Sequence, residues 1–166
     1  KSKLNISLKE NKSPLTQADL ESNHVISNSL LKINKNIPIL SEESLVDWSI
    51  RKNWQTYWLV DPLDGTKEFI KENDEFTVNI ALIKNNRPVL GVIYAPVSEV
   101  IYFSFKGGGS YKLNVEEFIK IENYFDNSFK LQTSIRTKND SLKVICSRSH
   151  PNDEFEKWLT ENVKQF

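Results

Sequence analysis

The sequence predicts an α+β protein in which an antiparallel sheet carries flanking helices, followed by the start of an α/β unit. Three observations lead there. Apolar positions at helical spacing lie near the beginning of the chain, extended segments joined by tight turns occupy its middle, and a strand, a loop and a helix start follow one another near its end. At 166 residues, with 39% hydrophobic and 27% charged side chains, the chain suits one globular domain, or one domain and part of a second.

Lys1 to Pro14 is polar and is expected to form loop or edge strand. Thr16 then opens a helix, with Asp19 three residues on, where a capping box places its acidic partner. Ala18, Ser22, Val25, Ile26, Leu30 and Ile33 follow helical spacing and predict one buried face. Asn34-Lys35-Asn36 ends this helix, and Ile37 to Leu40 is a short extended segment running into Ser41-Glu42-Glu43. Leu45 to Gln55 mixes Trp48, Ile50 and Trp54 with charges and has no clear period. Tyr57-Trp58-Leu59-Val60 reads as a buried strand that breaks at Asp61-Pro62. A helical turn over Lys67 to Ile70 follows. Phe76 to Ile83 alternates as a strand, Asn85 to Pro88 turns it into Val89 to Ala95, and Pro96 to Glu99 turns that into Val100 to Phe105. Gly107-Gly108-Gly109 reverses the chain into Tyr111 to Leu113. Strands joined this way build an antiparallel meander. Residues 114–140 carry the weakest signal, with room for one short helix and one strand. Leu142 to Cys146 reads as a strand, and Pro151 to Glu154 as a helix start that places Phe155, Trp158, Leu159 and Val163 on one face.

Basic and acidic residues balance at 22 each, so nothing recommends a nucleic-acid groove or an anionic membrane surface. The single cysteine, Cys146, excludes an intramolecular disulfide and fits a reducing compartment. No apolar run approaches the ~18 residues of a spanning helix. The chain holds no methionine, even at position 1, and a missing natural start is the expectation.

Chemistry concentrates at two acidic pairs. Asp61 and Asp64 flank the Pro62 break, with Gly65 and Thr66 behind them. Carboxylates ending a buried strand are costly without a positive partner, and a hard cation, which takes oxygen ligands, is one such partner. A simple Asp-Pro and Asp-Gly turn is the other reading. Glu42 and Glu43 end a second extended segment. Alone they read as a solvated surface pair, but two acidic strand ends side by side in one sheet would form a strongly negative pocket. Gly107-Gly108-Gly109 lacks the lysine and helix of a phosphate loop and reads as a hairpin turn. His24, mid-helix and without a companion ligand, reads as structural, and Cys146 as a core residue.

Ser41-Glu42-Glu43, followed after a loop by Trp58 to Thr66, resembles the signature of the inositol monophosphatase superfamily of magnesium-dependent, lithium-sensitive phosphatases. Lys67 to Ile70, Phe76 to Leu82 and Ser147-Arg148-Ser149-His150 are most similar to its bacterial 3'(2'),5'-bisphosphate nucleotidase branch, which removes the 3'-phosphate of adenosine 3',5'-bisphosphate. The resemblance implies a sugar-phosphatase-like layered α/β sandwich holding two or three Mg²⁺ ions. It implies a small nucleotide as partner rather than a nucleic-acid polymer, and a cytoplasmic enzyme or one peripheral to the inner membrane. It also implies roles. Glu42 matches a ligand of the first metal, Asp61 a bridging ligand, the Leu63 carbonyl a further ligand of the first metal, and Asp64 a ligand of the second. The Gly65 and Thr66 amides match the substrate-phosphate site. Thr66 and Asp19 match the pair that orients the attacking water, and Ser147 and His150 match nucleotide contacts. Lys9 falls near the place of a lysine beside a third metal. On this basis residues 1–125 form a metal-binding α+β domain, 126–140 a connection, and 141–166 the start of a C-terminal α/β domain. The family's Trp-Asp-x-Ala motif, with a third metal aspartate, and its opening helix have no counterpart. The expectation is therefore a fragment of an active parent that is itself weakly active or inactive. An inositol or sugar phosphatase, and a non-catalytic metal- or phosphate-binding remnant, are the alternatives.

Overall fold

The computed structural model describes residues 6–8, 14–116, 128–135, 144–145 and 152–162. The chain divides into two compact units, Lys1–Gln132 and Thr133–Phe166.

Among the described residues, the first unit is built on a seven-stranded sheet. Strands β1 (Ile6–Leu8) and β2 (Pro14–Thr16) form a separate antiparallel pair that leads into helix α1 (Gln17–Ile33). The sheet then runs β3 (Ile39–Ser41), β4 (Thr56–Asp64), β5 (Thr77–Lys84), β6 (Arg87–Ala95), β7 (Val100–Phe105), β8 (Gly109–Asn114) and β9 (Phe129–Leu131), with spatial order equal to chain order. From β4 onward every pairing is antiparallel, as the tight turns require. The β3–β4 pair is parallel, so the sheet is mixed rather than purely antiparallel. The cause lies in the connection: residues 42–55 carry the short helix α2 (Trp48–Arg51), capped by the Asp47 carboxylate accepting from the Ser49 N–H at 2.7 Å, and return the chain to the same end. The periodless stretch thus resolves into a crossover.

Local chemistry explains the turns. Asn85 and Asn86 take φ of 50° and 59°, the left-handed pair that a two-residue hairpin needs and that Asn tolerates best after Gly. Gly109 opens β8 at φ 101°, so the triple-glycine reversal is a hairpin, as read from the sequence.

One face of the sheet packs on α1. Leu30, Trp58 and Val60 form its core, with Ile26, Ile37, Ile39, Ile80, Leu82 and Leu90 packed around them. Two sequence expectations fail here. Val25 and Ile33 are 63% and 70% exposed, because the buried stripe of α1 is narrower than the apolar pattern and includes the polar Asp19. Leu59 is 42% exposed: strand residues alternate faces, and only the Trp58/Val60 face is covered by α1. The strand also does not stop at Asp61-Pro62 but continues to Asp64 through a register irregularity.

In the second unit, helix α4 (Asp153–Asn162) starts with the Phe155 N–H donating to the Asn152 side chain at 3.1 Å. Phe155 and Leu159 are half-buried, while Trp158 is exposed; Val163 lies outside the described residues. Of the strand expected over Leu142–Cys146, only Val144 and Ile145 are described. Both are exposed and neither is in a strand; Leu142, Lys143 and Cys146 lie outside the described residues.

Leu30→Ala should cost about 2–5 kcal/mol by urea unfolding, through the cavity left against Trp58 and Val60. Val25→Ala, one helical face away, should stay within about 0.5 kcal/mol.

Candidate active site

The site forms where β3 and β4 end together. Parallel pairing aligns Ser41 with Val60, and the Glu42 N–H donates to the Val60 carbonyl at 3.1 Å, so Glu42 follows β3 as Asp61 follows Val60. The two acidic strand ends therefore do lie side by side. The Ser41 corner is tied to α1: its hydroxyl, 1% exposed, donates to Asn23 Oδ1 at 2.7 Å, and Asn23 Nδ2 donates to the Ser44 hydroxyl at 2.8 Å.

Past Asp61 the β4–β5 register shifts. Asp61 pairs with Asn79 and Asp64 with Thr77, three steps on one strand against two on the other. That is a one-residue bulge, and Pro62, lacking an N–H, sits within it at no cost to the ladder. The Pro62 carbonyl accepts the Ser22 hydroxyl of α1 at 2.8 Å, which gives Ser22 a reason to stand in an otherwise apolar stripe. The Leu63 N–H donates to Asp61 Oδ1 at 3.2 Å.

Gly65 follows at φ 95°, and a Cβ there would meet the Glu75 carbonyl at 2.8 Å. It caps helix α3 (Thr66–Ile70), so Thr66 is the first helical residue and not the N-cap. The Thr66 hydroxyl lies 3.2 Å from Asp19 Oδ1 and 3.3 Å from the Leu63 carbonyl, and its proton is shared between them. Asp19 is wholly buried, and its Oδ2 accepts from the Thr16 N–H at 2.8 Å and the Thr16 hydroxyl at 2.5 Å. A buried carboxylate needs such saturation. The capping and water-orienting readings of Asp19 are thus compatible in one geometry, each using a different oxygen.

Electrostatically the centre is Asp61. Burial first, then the charges of Glu42 and Asp64, push its pKa up to about 7; the Leu63 N–H pulls the other way, and a hydrogen bond with Glu42 adds the least. Two carboxyls in hydrogen-bond contact must share a proton or a cation. Among the described residues no three His, Cys, Asp or Glu side chains gather closely enough to cage a metal alone. The donors present are all hard oxygens, and Mg²⁺ binds through one or two carboxylates while keeping several waters. The residues fit such an ion in place of the shared proton.

Glu42, Asp61, Leu63, Asp64, Gly65, Thr66 and Asp19 are thus drawn from α1, β3, β4 and α3 to one place. Ser147, His150, Lys9 and Cys146 lie outside the described residues. His24 is on α1, exposed and hydrogen-bonded to Asn28 at 2.9 Å. Two contributors escaped the sequence reading: Ser22, and Asn79, whose Nδ2 donates to Asp64 Oδ2 at 3.0 Å. A polar residue in an apolar stripe was the available signal for Ser22.

With this sheet and these strand ends, the sequence matches the inositol monophosphatase family over residues 1–166, and the chain belongs to that family. Among its curated relatives is the 3'(2'),5'-bisphosphate nucleotidase CysQ of Salmonella typhimurium, 46% identical over 157 residues that cover 95% of this chain and 56% of the relative. The crystal structure of CysQ from Bacteroides thetaiotaomicron superposes with a TM-score of 0.74 at 38% identity, covering 93% of this chain and 58% of that one. The extragenic suppressor protein suhB of Bartonella henselae superposes at 0.60 with 34% identity, over 66% of this chain and 42% of its own. The chain therefore spans a little over half the length of the curated relatives it matches. No helix among the described residues is long and apolar enough to cross a membrane.

Held neutral in the fold, Asp61 stabilises the metal-free protein most at low pH. That contribution is lost as pH rises from the ordinary carboxyl value of 3.8 to about 7, where the native state must ionise Asp61 between Glu42 and Asp64. Melting temperature in EDTA should fall over this window beyond the trend of the Asp61→Asn protein, and millimolar Mg²⁺ should restore it only in the wild type. Gly65→Ala should destabilise by at least about 1 kcal/mol from left-handed strain alone, with the Glu75 contact adding to it, measured by urea unfolding.

Proposed function

We propose that the protein is a magnesium-dependent phosphomonoester hydrolase acting on bisphosphonucleotides, converting adenosine 3',5'-bisphosphate to AMP and phosphate. One observation carries the chemistry: Glu42 and Asp61, brought together by parallel strand ends, sit on the same turn system as Asp64 and the Thr66–Asp19 hydrogen bond. The nucleotide substrate is supported by the 46% identity to a bisphosphate nucleotidase.

In this reading Glu42, Asp61, the Leu63 carbonyl and Asp64 hold the ions. Bound there, a hard divalent cation supplies acidified water and neutralises charge on the phosphoryl oxygens. The protein's own part is positioning, which dominates phosphoryl transfer. Asp19, fixed by Thr16, holds the Thr66 hydroxyl, and that hydroxyl orients the water for in-line attack. The first N–H groups of α3, at Gly65 and Thr66, have no acceptor within the helix and receive the substrate phosphate. We assign residues 1–125 to the metal-binding part and 141–166 to an α/β part whose Ser147 and His150 contact the nucleotide.

Phosphate release from adenosine 3',5'-bisphosphate, compared with inositol 1-phosphate and fructose 1,6-bisphosphate, tests the reading. Higher kcat/KM on the nucleotide, strictly dependent on Mg²⁺, is expected. Thr66→Ala should lower kcat by about 10²–10⁴ with little change in KM, the range for loss of a positioned proton-transfer group. A reversed substrate order would move the assignment to sugar phosphates. No hydrolysis of any of the three, with Mg²⁺ still bound, would leave a binding remnant.

A further inference from the structure

We propose that Asn79 is a positioning residue for Asp64, clamping the carboxylate so that a single oxygen is presented to a divalent cation. The proposal rests on the reading above that Asp64 takes an ion.

The argument starts from register. Thr77 pairs across the sheet with Asp64, and Asn79 with Asp61. Residues two apart on a strand share a face, so Thr77 and Asn79 stand side by side beneath the bulge. The Thr77 hydroxyl donates to Asn79 Oδ1 at 3.1 Å, and Asn79 Nδ2 donates to Asp64 Oδ2 at 3.0 Å. The Asp64 contact assigns the amide, because a carboxylate only accepts and so requires the NH₂ side; the Thr77 hydroxyl, able to donate or accept, then donates to the Oδ1 that remains. Asp64 is itself exposed. An exposed carboxylate samples several orientations and loses that freedom on binding an ion. Here a half-buried strand residue, oriented by its own neighbour, makes the choice in advance. With Oδ2 engaged, Oδ1 is the oxygen left with its full accepting capacity. This is the outer-shell arrangement by which hydrogen-bonded partners set ligand geometry and affinity. The strand pattern hid it, since Thr77, Asn79 and Ala81 read only as the polar side of an alternating strand.

Mn²⁺, which shares the oxygen preference and octahedral geometry of Mg²⁺, provides a readout independent of turnover. Free Mn²⁺ is followed by its EPR signal during titration of the full chain. Asn79→Ala should weaken by about 10–100-fold the class of binding that Asp64→Asn removes, leaving the class that Glu42→Gln removes unchanged. Thr77→Val, which frees the amide to rotate, should weaken the same class, and Thr77→Ser should restore it. A residue serving only the fold would instead lower the melting temperature and both classes together. Coincident isotherms for Asn79→Ala and wild type would overturn the clamp while leaving the ion at Asp64 intact. If Asp64→Asn also coincides with wild type, Asp64 holds no ion, and the clamp falls together with that part of the site reading. Should Asn79→Ala fail to fold, the Thr77→Val and Thr77→Ser pair decides on the same criterion.

Discussion

The site depends on one residue too many in β4. Side chains three apart on a regular strand point to opposite faces, so Asp61 and Asp64 on an unbroken ladder could not serve one centre. The bulge absorbs the odd step, three residues against two, and brings both acids to the face that Asn79 shares. Proline suits the place because it has no N–H to lose, and Gly65 suits the next because φ 95° would strain any other residue.

Helix α1 supplies what the bulge cannot. Its apolar contribution to the core is small, with Leu30 its one buried hydrophobic residue. Its other contribution is a line of polar anchors: Asp19 to Thr16 and Thr66, Ser22 to the Pro62 carbonyl, and Asn23 to Ser41. Each holds a different piece of the site against the same rod. A helix that looks weakly amphipathic as a core element is coherent as a jig for three strand ends. The partly buried hydrogen bonds that make it so are individually modest, worth about 1 kcal/mol each, and their value lies in fixing geometry.

How much of this was visible in the sequence follows from how far each signal reaches. Tight turns and alternation act over a few residues, and the meander from β5 to β8 was read nearly to its bounds. The acidic strand ends were also visible, because the residues carrying them are contiguous. What was missed depends on partners distant in the chain. The parallel β3–β4 pairing is decided by a crossover whose helix is only four residues long, too short for periodicity to register. Exposure of Val25 and Leu59 depends on which face α1 covers. Asn79 became meaningful only once the register brought Thr77 opposite Asp64. Pairing, rather than propensity, is where single-sequence reading lost the thread.

The ends of the seven-stranded sheet carry a consequence of their own. β3 on one side and β9 on the other are each three residues long, while the strands between them run from six to nine. Unpaired N–H and C=O groups on a sheet edge are a template for strand exchange with a second chain, and brevity is one of the ways natural sheets blunt it. Glu42 and Glu43, directly beyond β3, add charge at the same margin. That charge, placed where the outermost described strand ends, adds to the brevity of β3 in discouraging edge-to-edge self-association.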